Sequence, residues 1–164
     1  MKSWNSVAAV CLLASIGYGQ APNSAKKEAA MSKHAKGTFE VKLVPQTPDG
    51  KFEDSTMGRM TIDKTFHGDL EATSKGQMLS ALTEVKTSAG YVALERVTGT
   101  LAGRSGTFVL QHSGTMNRGE PSLTVTVVPD SGTGDLTGIA GSMTIKIEGG
   151  KHFYEIEYTL APTP

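Results

Sequence analysis

The sequence is poor in cysteine, carries no excess of charge of either sign, and contains no long hydrophobic run. Its 16 basic and 16 acidic residues give a formal net charge of zero. This balance argues against nucleic acid as a partner, because phosphate binding needs a basic excess. The apolar stretch near the N-terminus, residues 7–16, is too short to span a membrane, which takes about 20 residues.

The first 19 residues have the layout of a secretory signal peptide. Lys2 supplies a positive start, residues 7–16 are apolar, and Gly17 and Gly19 are small residues at a spacing of two. We expect cleavage after Gly19, or alternatively after Ala21, and an extracytoplasmic location in the periplasm or the medium. An N-terminal membrane anchor is the alternative, whereas the mature form has no predicted membrane span.

Removal of residues 1–19 would take away Cys11, the single cysteine of the chain. The mature protein would then form no disulfide and have no thiol nucleophile, so its stability must come from its own core. Residues 20–36 are rich in Ala, Lys and Ser without apolar periodicity, and they are interpreted as a flexible linker. The folded domain is predicted over residues 37–161.

Apolar and polar residues alternate repeatedly through this domain. Phe39, Val41 and Leu43 alternate with polar residues, and the same pattern recurs around Val125 and Ile145. A period of two indicates strands with one buried and one solvated face, and no segment shows a sustained helical period. Eight strands are predicted, over residues 38–45, 58–66, 69–83, 91–101, 106–116, 122–128, 139–148 and 152–160.

Short links between consecutive strands favour an eight-stranded antiparallel up-and-down barrel. Reversal points such as Asp49-Gly50, His67-Gly68 and Gly149-Gly150 separate the strands. The 19 glycines suit an all-β chain with many tight turns. Gly76 lies inside the third strand, where it would let the strand bend as a closing sheet requires. A two-sheet β-sandwich is the alternative architecture.

Two segments share the pattern G-x-L-x-G-x-x-G. One runs from Gly99 to Gly106 and the other from Gly134 to Gly141, and a new strand follows each. The leucine is predicted to anchor a wide turn, with glycines at positive φ or at close approaches of the backbone.

Several motifs, in order, resemble the domain of unknown function 3224 family. The resemblance covers about residues 37–160 and rests on FHGDLEATSKG (66–76), YVALERVTG (91–99), GRSGTFVLQHSGTM (103–116), VPDSGTG (128–134) and GKHFY (150–154). It implies an allene oxide cyclase-like barrel and no established activity. The stretch 131–141 is also similar to the glycine turn of allene oxide cyclases and dirigent proteins, which again concerns the fold alone.

Strand parity identifies polar residues that share faces with apolar ones. If the mainly apolar faces point inward, a few polar groups lie on an apolar wall, where they must hydrogen-bond to each other or to a ligand. Glu95 and His112 fall on consecutive strands at nearly opposite positions and form a candidate acid/base pair. The candidate ligand-binding residues are Lys64, Tyr91, Glu95, His112, His152 and Tyr154.

Three functions remain compatible with this pattern. The first is a barrel that binds a small apolar or amphipathic molecule in its interior. The second is a cofactor-free isomerase or cyclase of the allene oxide cyclase-like type, and the third is a structural or oligomer-forming module with a filled barrel. No cofactor and no metal are predicted, because the four histidines lack ligand spacing and the glycines miss the dinucleotide-binding spacing. Apolar residues on the presumed outer faces, Val92, Leu94, Val109 and Phe153, predict a homo-oligomer.

Overall fold

The computed structural model describes residues 31–47 and 56–160, so the predicted signal peptide lies outside the described residues. The chain forms one closed barrel in which every strand pairs antiparallel with its neighbours in sequence. β1 pairs with β8 and closes the ring, which confirms the predicted eight-stranded barrel over the alternative sandwich. The strands are β1 (Lys33–Gln46), β2 (Met57–Gly68), β3 (Leu70–Leu82), β4 (Ala89–Leu101), β5 (Arg104–Asn117), β6 (Glu120–Val127), β7 (Ala140–Glu148) and β8 (Lys151–Thr159).

β1 begins at Lys33, inside the segment that the sequence analysis assigned to the linker. Residues 33–36 show no apolar alternation that would indicate a strand. They are held by the backbone of β8 instead, with Ala35 opposite Ile156. Ala35 is buried there, and it is the one residue of this stretch whose side chain packs in the barrel interior.

The alternation along the strands places the apolar face inward, as the sequence predicts. Phe66, Val97, Phe108, Leu110 and Ile156 are fully buried and form the centre of one continuous core. Burial of apolar surface at about 25 cal/mol per Å² is the main stabilising contribution in a chain whose described part forms only strands and one short 3₁₀ turn.

One end of the barrel is filled by leucines from the two G-x-L-x-G-x-x-G segments. Leu101 and Leu136 are both fully buried, as predicted for anchors. The first segment is a tight two-residue turn through Ala102 and Gly103, both at positive φ, rather than the wide turn expected. The second is wide and contains a 3₁₀ helix, Gly134–Leu136. We call this the closed end.

The connection between β6 and β7, residues 128–139, packs along β5 at the closed end. The Thr133 amide donates to the Thr107 carbonyl oxygen over 2.9 Å, and the Val109 amide donates to Ser131 Oγ over 3.0 Å. Gly106 makes this close approach possible, because a Cβ there would overlap the Thr133 carbonyl. The connection therefore covers the part of β5 that β6 is too short to reach.

The opposite end, which we call the open end, is less completely walled. Within the part of the chain that the structure describes, β6 and β7 share a single pair, Thr126 with Ser142. β1 pairs with β8 only as far as Phe39 and then continues against β2 alone. Apolar residues with inward parity remain exposed there, namely Leu43, Leu82, Met116, Leu123 and Ile147. Among the described residues, no helix has the length and hydrophobicity needed to cross a membrane.

Candidate functional site

Glu95 lies in the middle of the barrel because β4 presents it inward, between Gly76 of β3 and Leu110 of β5. Glu95 is only 1% exposed to solvent. Gly76 makes room for it: a Cβ on Gly76 would come within 2.6 Å of the Glu95 Cβ. The glycine predicted to bend the strand thus also provides the space for a carboxylate in the core.

Three side chains donate hydrogen bonds to the Glu95 carboxylate. Lys64 Nζ lies 2.7 Å from Oε1, His112 Nε2 lies 2.9 Å from the same oxygen, and Ser74 Oγ lies 2.8 Å from Oε2. All four residues are buried. We call them the Glu95 cluster.

The Glu95 cluster keeps its carboxylate ionised. Burial by itself raises the pKa of Glu95, but the hydrogen bond from His112 and the positive charge of Lys64 outweigh it and lower the pKa to about 2. An ionised carboxylate only accepts hydrogen bonds, so Nε2 of His112 must carry a proton. Glu95 therefore accepts hydrogen bonds from three donors and is a poor proton acceptor near neutral pH.

Lys64 is held by aromatic faces as well as by charge. Its Nζ lies 4.8 Å from the centre of the Phe39 ring and 5.8 Å from that of Phe66. Both distances are within the range of cation–π attraction. The ammonium group is thereby shared between Glu95 and two rings, which compensates for its removal from water.

Glu95 and His112 come together by a different register from the one expected. The turn is centred between Ala102 and Gly103, so Glu95 pairs with Leu110 and His112 pairs with Ala93. The two side chains meet as diagonal neighbours on the inward face, a spacing that long side chains bridge. The predicted contact exists, although the two residues do not face each other directly.

A cavity of about 420 Å³ occupies the open end. Met60, Met78, Leu82, Met116 and Leu123 form most of its apolar wall. Tyr91 also lines it, with its ring over Gly114, where any Cβ would overlap the ring. The floor lies close to the Glu95 cluster, because His112 is the next inward-facing residue below Gly114 on β5. The volume is within the range of small-molecule sites, roughly 300–1,000 Å³.

The family model of a protein of unknown function, DUF3224, matches residues 35–158. The chain belongs to the DUF3224 family. It is also similar to a crystal structure of a DUF3224 protein with unknown function from Shewanella oneidensis MR-1, with 51% sequence identity and a TM-score of 0.77. The match covers 81% of this chain and 100% of that one. No curated protein matches the chain.

Tyr154 of this DUF3224 barrel is placed away from the open-end cavity. Its hydroxyl accepts a hydrogen bond from the Leu70 amide over 2.9 Å and donates to the His67 carbonyl over 3.3 Å. Gly37 leaves space for it, since a Cβ there would come within 2.6 Å of the hydroxyl. Tyr154 thus fastens the turn between β2 and β3 at the closed end.

His152 also lies outside the Glu95 cluster. Its ring packs against Phe39, with 4.9 Å between ring centres and 30° between planes. It is half-buried beside the point where β1 passes the β7–β8 turn. The structure therefore separates the six candidates into three in the Glu95 cluster, Tyr91 at the cavity, and two at other places in the wall.

Sequence reasoning missed Ser74, which completes the Glu95 cluster. The signal was present, because Ser74 shares its inward parity with Leu70 and Ala72 on the same strand. A serine attracts little notice beside charged residues, yet here it satisfies the second oxygen of a buried carboxylate. The DUF3224 barrel accordingly has a polar centre in which every buried side-chain polar atom among the described residues has a partner.

Proposed function

We propose that this DUF3224 protein binds a small apolar or amphipathic molecule in the open end of its barrel. The observation that carries the proposal is the cavity of about 420 Å³ lined mainly by methionine, leucine and tyrosine side chains. Ligand sites are typically concave and apolar with a few placed polar groups. At the closed end, inward-facing leucines fill the interior. At the open end, the inward-facing apolar side chains, such as Leu82 and Ile147, remain exposed.

The Glu95 cluster supports binding more than catalysis. A cofactor-free isomerase or cyclase would need an acid or base directed at its substrate. Glu95 already accepts three hydrogen bonds, and its lowered pKa makes it a weak base. We therefore place binding ahead of the enzymatic alternative, with the cluster fixing the shape of the cavity floor.

The proposal is tested by native mass spectrometry of protein purified from its own host. We expect a co-purifying molecule of a few hundred daltons, released on denaturation. A matched pair of variants locates it: Met78→Gln at the cavity wall should lower occupancy, whereas Thr98→Gln on the outer face of β4 should leave it unchanged. Equal occupancy in both variants, or a wild-type protein that stays empty when offered a panel of apolar compounds, would contradict binding at the open end.

The extracytoplasmic location is a second proposal, and it rests on the sequence of residues 1–19. If the signal peptide is cleaved, the abundant form begins at Gln20 or Pro22. N-terminal sequencing of the protein recovered from the host envelope and medium tests this. A form that retains Met1 or Lys2 would overturn cleavage without affecting the proposed binding site.

A further inference from the structure

Tyr91 is one of the residues that line the open-end cavity. Among residues 31–47 and 56–160, no group forms a hydrogen bond with its hydroxyl, although the side chain is partly buried. Every buried side-chain polar atom among the described residues has a partner, so this hydroxyl is accessible and available to a ligand. Ser80, the cross-strand neighbour of Tyr91, also lines the cavity and likewise has no partner among the described residues for its hydroxyl.

The Tyr91 ring packs against the neighbouring strand. It lies over Gly114, directly opposite on β5. Any side chain at position 114 would displace the ring, so the glycine is what allows Tyr91 to lie there. A rigid aromatic donor of this kind loses little conformational entropy when it binds a ligand.

The charge of the cavity wall bears on which ligands it can hold. None of the described residues that line it carries a formal charge. The nearest cation on the inward face, Lys64, is already engaged by Glu95 at 2.7 Å and by two aromatic rings. An anionic ligand would lose its hydration without gaining an ion pair, which is costly in an apolar site.

The electrostatics at Tyr91 favour a neutral donor. Burial, and next the negative charge of Glu95, raise the pKa of Tyr91, so its hydroxyl keeps its proton throughout the physiological range. A protonated hydroxyl in this position can donate to a carbonyl, ester or ether oxygen, and it is the lack of an unpaired cation among the described lining residues that disfavours a charged acceptor.

We infer that the ligand is an uncharged amphiphile whose carbonyl or ether oxygen accepts a hydrogen bond from Tyr91 while its apolar part contacts Met60, Met78 and Leu123. This inference rests on the proposed binding function and specifies its ligand class. It selects neutral esters, ketones and ethers and rejects the corresponding fatty acids, which differ from esters mainly in charge.

Calorimetric titration with methyl octanoate and with octanoate, at about pH 7.5, where the free acid is ionised, tests the inference. We expect the ester to bind at least about tenfold more tightly than the acid, by analogy with other unpaired charges in apolar sites. Tyr91→Phe removes only the hydroxyl and should weaken ester binding about threefold to tenfold, the usual effect of one neutral hydrogen bond. Tyr158→Phe, an inward tyrosine at the closed end, is the matched control and should leave binding unchanged.

The outcomes distinguish a wrong ligand class from a wrong binding function. If octanoate binds as tightly as its ester, or if Tyr91→Phe binds the ester like the wild type, the ligand class is wrong while the cavity remains a binding site. If neither compound binds and Met78→Gln does not alter the occupancy of host-purified protein, the binding function itself is overturned. Circular dichroism of each variant confirms that it is folded.

Discussion

The two ends of the barrel use their inward-facing apolar residues in opposite ways. At the closed end, Leu70, Leu101 and Leu136 are fully buried. At the open end, Leu82 and Ile147 have the same inward parity but are 62% and 66% exposed. Leucine and isoleucine stabilise a fold only in proportion to the area that they remove from water. The apolar residues of the closed end therefore contribute strongly to stability, whereas those of the open end contribute little.

The outer wall shows the reverse distribution. Around the closed half, the outward residues of β3 and β4 are polar, as in Thr73, Lys75 and Arg96. Around the open half of the same strands, Leu79, Val92 and Leu94 are outward and 52–55% exposed. Leu79 pairs with Val92, so these residues form a contiguous apolar strip, which we call the outer strip. The half of the barrel with the unfilled interior also has the apolar exterior.

The largest effect is expected from removing a core side chain at the closed half. Phe108→Ala should lower the free energy of unfolding by about 3–5 kcal/mol, because it leaves a cavity among fully buried neighbours. Leu82→Ala at the open end should cost less than about 1 kcal/mol, since most of that side chain is already in water. Urea denaturation measures both. Similar losses for the two variants would show that the ends do not differ as described.

A smaller and pH-dependent effect is expected at the boundary between the two ends. Folding lowers the pKa of Glu95 from its ordinary value of 4.5 to about 2. The stabilising contribution is therefore complete above about pH 4.5 and is lost as the pH falls towards 2; it amounts to something on the order of 3 kcal/mol. Glu95→Gln should be less stable than the wild type at pH 7 and should lose less stability over this acidic window.

His112→Ala complements this experiment. It removes one donor and leaves Lys64 and Ser74 bound to the carboxylate. The free energy of unfolding at pH 7 should therefore fall by about 1–3 kcal/mol, less than in Glu95→Gln. Unfolding curves recorded from pH 2 to 7 provide the comparison. Parallel pH profiles for wild type and Glu95→Gln would mean that Glu95 is not the group that titrates. Unchanged ligand occupancy despite a large stability loss would assign the cluster a purely structural role.

The smallest effect on stability is expected on the outer strip. We propose that it is covered by a second copy of the chain, as the apolar outer residues of the sequence suggest. Leu94→Gln should change the free energy of unfolding by about 0.5 kcal/mol or less in the isolated chain, as is usual at exposed sites. It should nevertheless shift a homo-oligomer towards monomer in analytical ultracentrifugation. A wild-type protein that sediments as a monomer at tens of micromolar would remove this proposal.

The barrel could be predicted from the sequence because alternation is dense in every strand and links are short. The inward direction of Lys64, Glu95 and His112 followed from parity alone. The start of β1 could not be predicted, because residues 33–36 are held by backbone pairing to β8 and carry almost no side-chain signal. Parity equally could not separate Tyr154, whose hydroxyl binds backbone groups, from Tyr91, which lines the cavity.

Register is the second point at which sequence reasoning reached its limit. A shift of one residue in the centre of the β4–β5 turn decides whether Glu95 faces residue 111 or Leu110. The positive φ angles of Ala102 and Gly103 settle it, and a non-glycine residue at the first of these positions gives little warning of such a turn. The family resemblance could be recognised from the motifs, but it carried no activity to transfer.

The single pair between β6 and β7 affects which strands form the edges of the sheet. If the Thr126–Ser142 pair is set aside, the barrel becomes one continuous sheet that runs from β7 through β8 and β1 to β6. The last and first strands then lie side by side as its second and third strands, joined along seven pairs, and its two edges belong to β7 and β6, which are consecutive in the chain. Unpaired edges invite association with other strands. In this protein the two edges face each other in the closed barrel, which leaves them less accessible to strands of other chains.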